Sequence, residues 1–208
     1  MKQFLLVDDH VVVRSGLKMM MQEYFKPCEI MEASNGEEAK ACLSKKQFDL
    51  IMLDIQMPNT DSLALMEYIH ENYPDFKVLM FSMSAENIYA KRYLKAGARG
   101  FVSKDAPLQE LNRAINQVLE NRKYVSENLA MVLANDYSKG KSDNPFNRLS
   151  AREFEIAKLL LGGQTISDIS KSINIQISTV GTHKSRLFEK LSVTNLLELK
   201  ELATSYNL

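Results

Sequence analysis

The first 121 residues alternate short apolar runs with longer amphipathic stretches, and this alternation constrains the fold more than any other feature. The runs have the length of strands, whereas the stretches between them repeat apolar residues at helical spacing. We expect strands at Phe4–Val7, Glu29–Glu32, Leu50–Leu53, Val78–Phe81 and Gly100–Val102. We expect helices at Val11–Tyr24, Gly36–Leu43, Ser62–Asn72, Ala85–Ala96 and Leu108–Asn121.

Strict alternation of strands and helices predicts an α/β doubly wound, parallel, five-stranded sheet with right-handed crossovers. Helices cover both faces of such a sheet, and its functional crevice lies beyond the carboxyl ends of the strands. The residues that directly follow each strand are therefore the first candidates for function.

A polar segment, KGKSDNPFN at residues 139–147, is typical of a linker because Gly, Ser, Asp, Asn and Pro cluster in it. Residues 126–135 have the pattern of a short helix within the same connection. From Leu149 onward the chain shows helical patterns only. The sequence thus predicts one domain at residues 1–121, a linker at 122–147 and a small all-α domain at 148–208.

The amino-acid composition excludes only a few classes of function. The chain carries 26 Lys+Arg against 26 Asp+Glu, and residues 148–208 hold eight basic and six acidic side chains. That balance permits binding to nucleic acid but does not require it. Cys28 and Cys42 form no zinc or redox motif. Because no stretch approaches the roughly 18 apolar residues of a membrane span, we expect a cytoplasmic protein with no membrane partner.

Polar side chains follow four of the expected strands. Asp8 and Asp9 follow the first strand, Asp54 the third, Ser82 the fourth and Lys104 the fifth. Clustered carboxylates need a cation to stay ionised together, and their hard oxygens suit Mg²⁺. A hydroxyl and an ammonium group beside them would spread the charge of a transferring phosphoryl group.

Each of these residues also has an ordinary structural explanation. An Asp at a strand end commonly caps a helix or forms a turn, a lone Lys is commonly a solvated surface residue, and a lone Ser commonly lies in a turn. The coincidence of all these residues at the ends of four strands favours a functional site, most strongly for Asp54, Asp9 and Lys104.

The motifs VDDH, LDIQMP, FSMS and VSKDA resemble those of the receiver domain of response regulators, which has a flavodoxin-like fold, over residues 1 to about 121. The resemblance implies that Asp54 is the phosphoacceptor and that Asp9 and Asp54 bind Mg²⁺ directly. Asp8 would act through water, and Gln56 would offer its backbone carbonyl.

The same resemblance implies a switch. Ser82 would bind a phosphoryl oxygen, Lys104 would pair with the phosphate, and Phe101 would be the switch aromatic that turns inward on phosphorylation. One position departs from the family, which usually has Gly where this chain has Ser62. If that backbone needed a positive φ, Ser would strain it.

The C-terminal part begins with a capping box, Ser150 with Glu153, and its first helix ends at Gly162-Gly163. Two short helices joined by a tight turn follow, with Ser178 as the expected cap of the second. A pair of this kind after a positioning helix predicts a helix-turn-helix whose second helix lies in the major groove. For a generic amphipathic helix, a merely solvated polar face would be the alternative.

Residues 149–203 resemble the LuxR-type helix-turn-helix, and a receiver ahead of it points to the NarL/FixJ family. The resemblance implies double-stranded DNA and a sensor histidine kinase as partners, and a homodimer when phosphorylated. Gly181 stands where a basic or polar residue is usual, and Ser192 replaces a common capping Gly. Leu196–Leu202 is expected to be core or a dimer seam. The implied DNA-binding residues are Ser178, Thr179, Gly181, Thr182, His183, Lys184, Ser185 and Arg186.

Two other functions compete with a phosphorylation-switched regulator. A phosphohydrolase could use Asp54 as nucleophile, but such enzymes commonly place an acid two residues later, where this chain has Gln56. A degenerate receiver could serve only for dimerisation, but the intact acid pair, Asp54 and Lys104 argue against it. We therefore expect a DNA-binding regulator and no enzyme beyond its own phosphoryl transfer and slow dephosphorylation.

Overall fold

The structure, a computed structural model, describes residues 1–58, 60–83, 86–131, 144–173, 175–206 and 208. The chain divides into two compact units, Met1–Leu133 and Ala134–Leu208.

Five parallel strands form the sheet of the first unit in the order β2-β1-β3-β4-β5. The order confirms the expected α/β doubly wound fold. The strands are β1 Lys2–Val7, β2 Cys28–Ala33, β3 Leu50–Leu53, β4 Val78–Ser82 and β5 Gly100–Ser103. β1 and β2 are longer than expected because backbone pairing runs from Lys2↔Cys28 to Val7↔Ala33, beyond the apolar side chains.

Five helices connect and follow these strands: α1 Val11–Tyr24, α2 Gly36–Leu43, α3 Ser62–Asn72, α4 Glu86–Lys95 and α5 Leu108–Leu119. α1, α2 and α3 match the expected bounds. α5 was expected to reach Asn121, but Asn121 has a left-handed φ of 63°, which ends the helix earlier. The expected start of α4 at Ala85 lies outside the described residues.

Alternate residues of the strands face two different helical layers. Phe4, Leu6, Met52 and Val102 share one buried cluster with residues of α1 and with the stripe Leu111, Ala114, Ile115 and Val118 of α5. Phe101 is fully buried next to Val102 in sequence. Because side chains alternate along a strand, it lies on the opposite face of the sheet.

The edge of the sheet continues past α5. Tyr124 forms a parallel bridge with Gly100, and a Cβ at Gly100 would lie 3.0 Å from the Tyr124 carbonyl oxygen. Glycine is therefore needed for this close approach. Residues 127–131 are helical, as expected for the connection. Residues 132–135 of that expected helix and residues 139–143 of the expected linker lie outside the described residues.

In the described part of the second unit, four α-helices follow a 3₁₀ turn at Pro145–Arg148: α6 Ala151–Leu161, α7 Ile166–Ser172, α8 Ile177–Leu191 and α9 Leu196–Ser205. The Ser150/Glu153 capping box is present. A second capping box, Thr165 with Asp168, starts α7. Phe146 in the 3₁₀ turn is buried and contacts the Tyr206 ring. The sequence pattern had placed this residue in the polar linker and did not reveal its role in the core.

Ser178 is not the cap of its helix, as the sequence suggested. Gln176 is the N-cap of α8, and Ser178 is the second helical residue. The helix starts earlier because Thr179 and Val180 both donate backbone hydrogen bonds to the Gln176 carbonyl. An N-cap side chain is favourable but not required when the backbone turn is already set.

Within the described residues, every helix is too short or too polar to cross a membrane.

Candidate functional site

Backbone hydrogen bonds between neighbouring strands bring the polar strand-end residues to one edge of the sheet. The Asp54 N–H donates to the Val7 carbonyl at 2.9 Å, and the Asp8 N–H donates to the Ala33 carbonyl at 3.1 Å. At the other side, the Lys104 N–H donates to the Ser82 carbonyl at 3.1 Å. The residues predicted from strand ends therefore lie together, at the carboxyl edge where function was expected.

Lys104 joins two buried carboxylates. Its Nζ lies 2.7 Å from Oδ2 of Asp54 and 2.7 Å from Oδ2 of Asp8, and the three side chains are 8%, 3% and 3% exposed, respectively. Burial alone lowers the pKa of Lys104, but its hydrogen bonds to Asp54 and Asp8 outweigh burial and raise the pKa above its usual value. The ammonium charge is thus held at the centre of the acidic cluster.

Asp9 and His10 complete the cluster on the side of α1. Oδ1 of Asp9 is buried and finds no hydrogen-bond partner among the described residues. One candidate ligand atom from each of Asp8, Asp9, His10 and Asp54 lies within 4.8 Å of the others. A buried carboxylate oxygen without a hydrogen bond is costly, so this donor set fits a cation that the carboxylates would hold.

His10 is the residue of this cluster that the sequence analysis missed. Its backbone N–H donates to Oδ1 of Asp8 at 2.8 Å. Its Nδ1 lies 3.1 Å from the same oxygen and 3.0 Å from Oδ1 of Asp9. The sequence does place His10 directly after the acid pair. A histidine at the start of a helix does not by itself indicate a binding site, however.

Gln56, Ser82 and Phe101 have different surroundings. Gln56 is exposed, and its N–H donates to Oδ1 of Asp54 at 3.2 Å. Ser82 is fully buried at the end of β4. Phe101 is also fully buried, so its ring already occupies the interior that a switch aromatic would enter.

Ser62 is accommodated without strain. Among the described non-glycine residues, only Asn121 and Ser192 have a positive φ. Ser62 begins α3 after the Asp61 cap, and its hydroxyl donates to the Ile55 carbonyl at 2.7 Å. The side chain thus anchors the turn after Asp54, which a glycine could not do.

The polar residues expected to contact DNA lie on α8, whose buried residues are Val180, Leu187 and Leu191. Two of their hydroxyls bond within the helix: Thr182 to the Ser178 carbonyl at 3.0 Å, and Ser185 to the Gly181 carbonyl at 3.1 Å. The exposed members are Ser178, Thr179, Thr182, Ser185 and Arg186, and the half-buried members are Gly181, His183 and Lys184.

His183 and Lys184 have neighbours within the unit. The pKa of His183 is lowered, first by burial and then by the Arg152 guanidinium, and its Nδ1 is buried without a hydrogen bond to the described residues. Nζ of Lys184 lies 5.3 Å from the centre of the Phe188 ring. Arg186 is therefore the more freely presented cation of the face.

The two departures from the expected pattern on α8 have opposite character. A Cβ at Gly181 would meet no atom within 4 Å, so packing does not require glycine there. Ser192 ends the helix with φ 56° and ψ 40°, the left-handed conformation that favours glycine.

Comparison with known proteins identifies the family of the chain. Residues 4–116 match the family described as response regulator receiver domain, and residues 147–203 match the bacterial regulatory proteins of the luxR family. The response regulator GacA of Pseudomonas protegens is 32% identical over all of this chain and 98% of its own length. The response regulator UvrY of Escherichia coli is 32% identical over 98% of this chain and 94% of its own.

A solved structure shows the same fold. It contains RcsB from Salmonella enterica serovar Typhimurium bound to promoter rprA in the presence of the phosphomimetic BeF3-. Its TM-score is 0.72 at 22% identity, over 98% of both chains.

Proposed function

Because the chain belongs to the response regulators that join a receiver domain to a luxR-type DNA-binding domain, we propose that phosphorylation of Asp54 switches its binding to DNA. The single observation that carries this proposal is the buried Asp54 carboxylate, 2.7 Å from the Lys104 ammonium group. We assign the receiver to residues 1–121, the linker to 122–147 and the DNA-binding domain to 148–208.

Asp54 accepts the phosphoryl group from a sensor histidine kinase in this proposal. A carboxylate oxygen of Asp54 attacks phosphorus while the bond between phosphorus and the donor atom breaks. Lys104 stays beside the added negative charge, and the Ser82 hydroxyl binds a phosphoryl oxygen. Catalysis of this kind is mostly positioning and electrostatic stabilisation.

Mg²⁺ is the cation we propose for the acidic cluster. Asp9 and Asp54 would hold it directly, Asp8 through water, and Gln56 through its backbone carbonyl. When bound, the ion spreads the negative charge of the transferring group. The buried Oδ1 of Asp9, which lacks a hydrogen bond within the described chain, supports this proposal.

Double-stranded DNA is the partner of the second unit, and we propose that α8 enters its major groove. RcsB, which has the same fold, has been solved on promoter DNA. Lys184 and Arg186 would neutralise phosphates. Base edges would be contacted by the other residues of that face, namely Ser178, Thr179, Gly181, Thr182, His183 and Ser185. A bacterial chromosome as partner implies a cytoplasmic site of action.

We also propose a homodimer in the phosphorylated state. Leu197 on α9 is 67% exposed, which leaves an apolar side chain available for a symmetric contact. In the receiver, Phe101 is the proposed switch aromatic, because it lies buried on β5 beside β4, the strand that ends at Ser82.

Mass spectrometry of the intact chain tests the phosphoacceptor. After incubation with acetyl phosphate and Mg²⁺, we expect the wild type to gain one phosphoryl group and Asp54→Asn to gain none. Asp61→Asn is the matched control, since Asp61 lies in the same loop and Asn caps helices equally well. Equal labelling of Asp54→Asn and wild type would contradict the assignment.

A further inference from the structure

We propose that His10 is a ligand of the cation at the acidic site and makes the site prefer transition metals with imidazole affinity, such as Co²⁺ and Zn²⁺, over Mg²⁺. The inference rests on the proposed function for the location of the cation, and adds a ligand that a magnesium site does not need.

Nδ1 of His10 makes a hydrogen bond with Oδ1 of Asp8, and the distances around His10 also suit atoms that share one ion. Its Nδ1 lies 3.1 Å from Oδ1 of Asp8 and 3.0 Å from Oδ1 of Asp9. In an octahedral site, metal–ligand bonds of about 2.1 Å at right angles place neighbouring donor atoms about 3.0 Å apart. Opposite donors in such a site would be about 4.2 Å apart, within the 4.8 Å that encloses the four ligand atoms.

The backbone holds His10 in this position. The residue is the N-cap of α1, its N–H donates to Oδ1 of Asp8 at 2.8 Å, and its carbonyl accepts the Arg14 N–H at 3.1 Å. The imidazole is 61% exposed, whereas Asp8 is 3% exposed. An ion can therefore enter from solvent on the side of the ring and keep water molecules as its remaining ligands.

The charges of the cluster match a divalent ion. Asp8, Asp9 and Asp54 contribute three negative charges, and Lys104 neutralises one of them. Oδ1 of Asp9 lacks a hydrogen bond from the described residues even though it lies 3.0 Å from Nδ1 of His10. A metal ion bound by both atoms would satisfy Oδ1 of Asp9, and it would replace the hydrogen bond between Nδ1 of His10 and Oδ1 of Asp8.

The chemistry of the ligand atoms determines which divalent ion the site prefers. Mg²⁺ takes oxygen ligands and keeps several waters, so an added imidazole contributes little to its binding. Imidazole suits later first-row metals, whose affinities for mixed nitrogen and oxygen sites rise along the series. His10 thus favours Co²⁺ and Zn²⁺ while the three carboxylates serve either class.

Titration of the full chain with Co²⁺, Zn²⁺ and Mg²⁺ by calorimetry tests the proposal on wild type, His10→Asn and His70→Asn. Asn keeps a good N-cap at position 10, and exposed His70 on α3 is the matched control. We expect His10→Asn to weaken Co²⁺ and Zn²⁺ about tenfold or more, and to leave Mg²⁺ within about twofold, where tenfold corresponds to 1.4 kcal/mol. His70→Asn should bind all three ions as wild type does.

Pulsed electron paramagnetic resonance of the Mn²⁺-loaded chain supplies a direct readout. Coupling to a ligand nitrogen should appear in wild type and His70→Asn and vanish in His10→Asn. Unchanged Co²⁺ affinity and an unchanged spectrum in His10→Asn would overturn the role of His10, while Mg²⁺ binding and phosphorylation at Asp54 would still stand. Failure of Mg²⁺ to bind, with the nitrogen coupling intact, would instead contradict the proposed magnesium site and uphold His10.

Discussion

Nζ of Lys190, in the last turn of α8, lies 2.6 Å from Oε2 of Glu153, in the first turn of α6. Glu153 is 3% exposed, and the same Oε2 accepts the Ser150 N–H at 2.7 Å. One carboxylate therefore caps α6 and ties α8 to it. Because α8 is the helix that we propose enters DNA, this pair fixes the presentation of its polar face.

Loss of Lys190 should destabilise the second unit. In Lys190→Met, Glu153 keeps the Ser150 hydrogen bond but loses its ion pair in a buried position. We expect a fall of about 1 kcal/mol in the free energy of unfolding, measured by urea denaturation of the full chain. Lys200→Met, the same change at an exposed position of α9, should have almost no effect. Equal losses in the two variants would show that the pair contributes no specific stability.

The same pair predicts a pH dependence. Burial raises the pKa of Glu153, but hydrogen bonds from Lys190 and Ser150 outweigh burial and hold the folded-state pKa below its ordinary value of 4.5. A lowered folded-state pKa means that the stability gain is present above about pH 4.5 and is lost as the pH falls through the folded value.

Urea denaturation between about pH 3 and 6 checks this linkage. Wild type should lose more stability on acidification than Lys190→Met, because the variant has already lost the main group that lowers the Glu153 pKa. Parallel pH profiles for the two proteins would contradict the linkage.

Gly181→Ala should stabilise α8. A Cβ at this position meets no atom within 4 Å, and alanine in a helix interior is favoured over glycine by about 1 kcal/mol. The control is Gly163→Ala in the same unit, where φ is 84° and a Cβ is unfavourable. Calorimetry of the full chain should show the melting temperature of the second unit rising for the first variant and falling for the second. A lower melting temperature for Gly181→Ala would mean that glycine is needed at position 181.

Sequence reasoning predicted the sheet well because β1, β3 and β4 each contain an uninterrupted apolar run between helical patterns. β3 at Leu50–Leu53 and α3 at Ser62–Asn72 were placed to the residue. The predicted helix ends were wrong where the backbone conformation of a single residue determines them. Nothing in the local pattern says that Asn121 turns left-handed and ends α5, or that Gln176 rather than Ser178 caps α8.

Some residues of the candidate site could be predicted from the sequence, and others could not. Asp8, Asp54 and Lys104 were predictable because the ends of parallel strands meet at one edge of a sheet. The proximity of His10 to two carboxylates was not, because it depends on the rotamer at a helix start. Likewise, the link between Lys190 and Glu153 joins residues 37 positions apart through helix packing, which no short motif encodes.

Arg186→Ala should weaken DNA binding to all sequences by a similar factor. Arg186 is an exposed cation of α8, and a phosphate contact releases about one counterion when it forms. The slope of log affinity against log salt concentration should therefore fall by about one unit. Lys200→Ala, on α9, should leave the slope unchanged, and an unchanged slope for Arg186→Ala would identify that residue as a solvated surface group.

The most direct test of phosphorylation-switched DNA binding is a fluorescence-anisotropy titration of one DNA fragment that has been selected from random sequences with the phosphorylated protein. The full chain would be compared with and without acetyl phosphate treatment, beside Asp54→Asn treated in the same way. Couplings between sites typically amount to about 5- to 150-fold in affinity. We expect phosphorylated wild type to bind more tightly than the untreated protein by a factor in that range, and treated Asp54→Asn to bind like the untreated protein. Equal affinities for phosphorylated and unphosphorylated wild type would show that Asp54 does not control DNA binding.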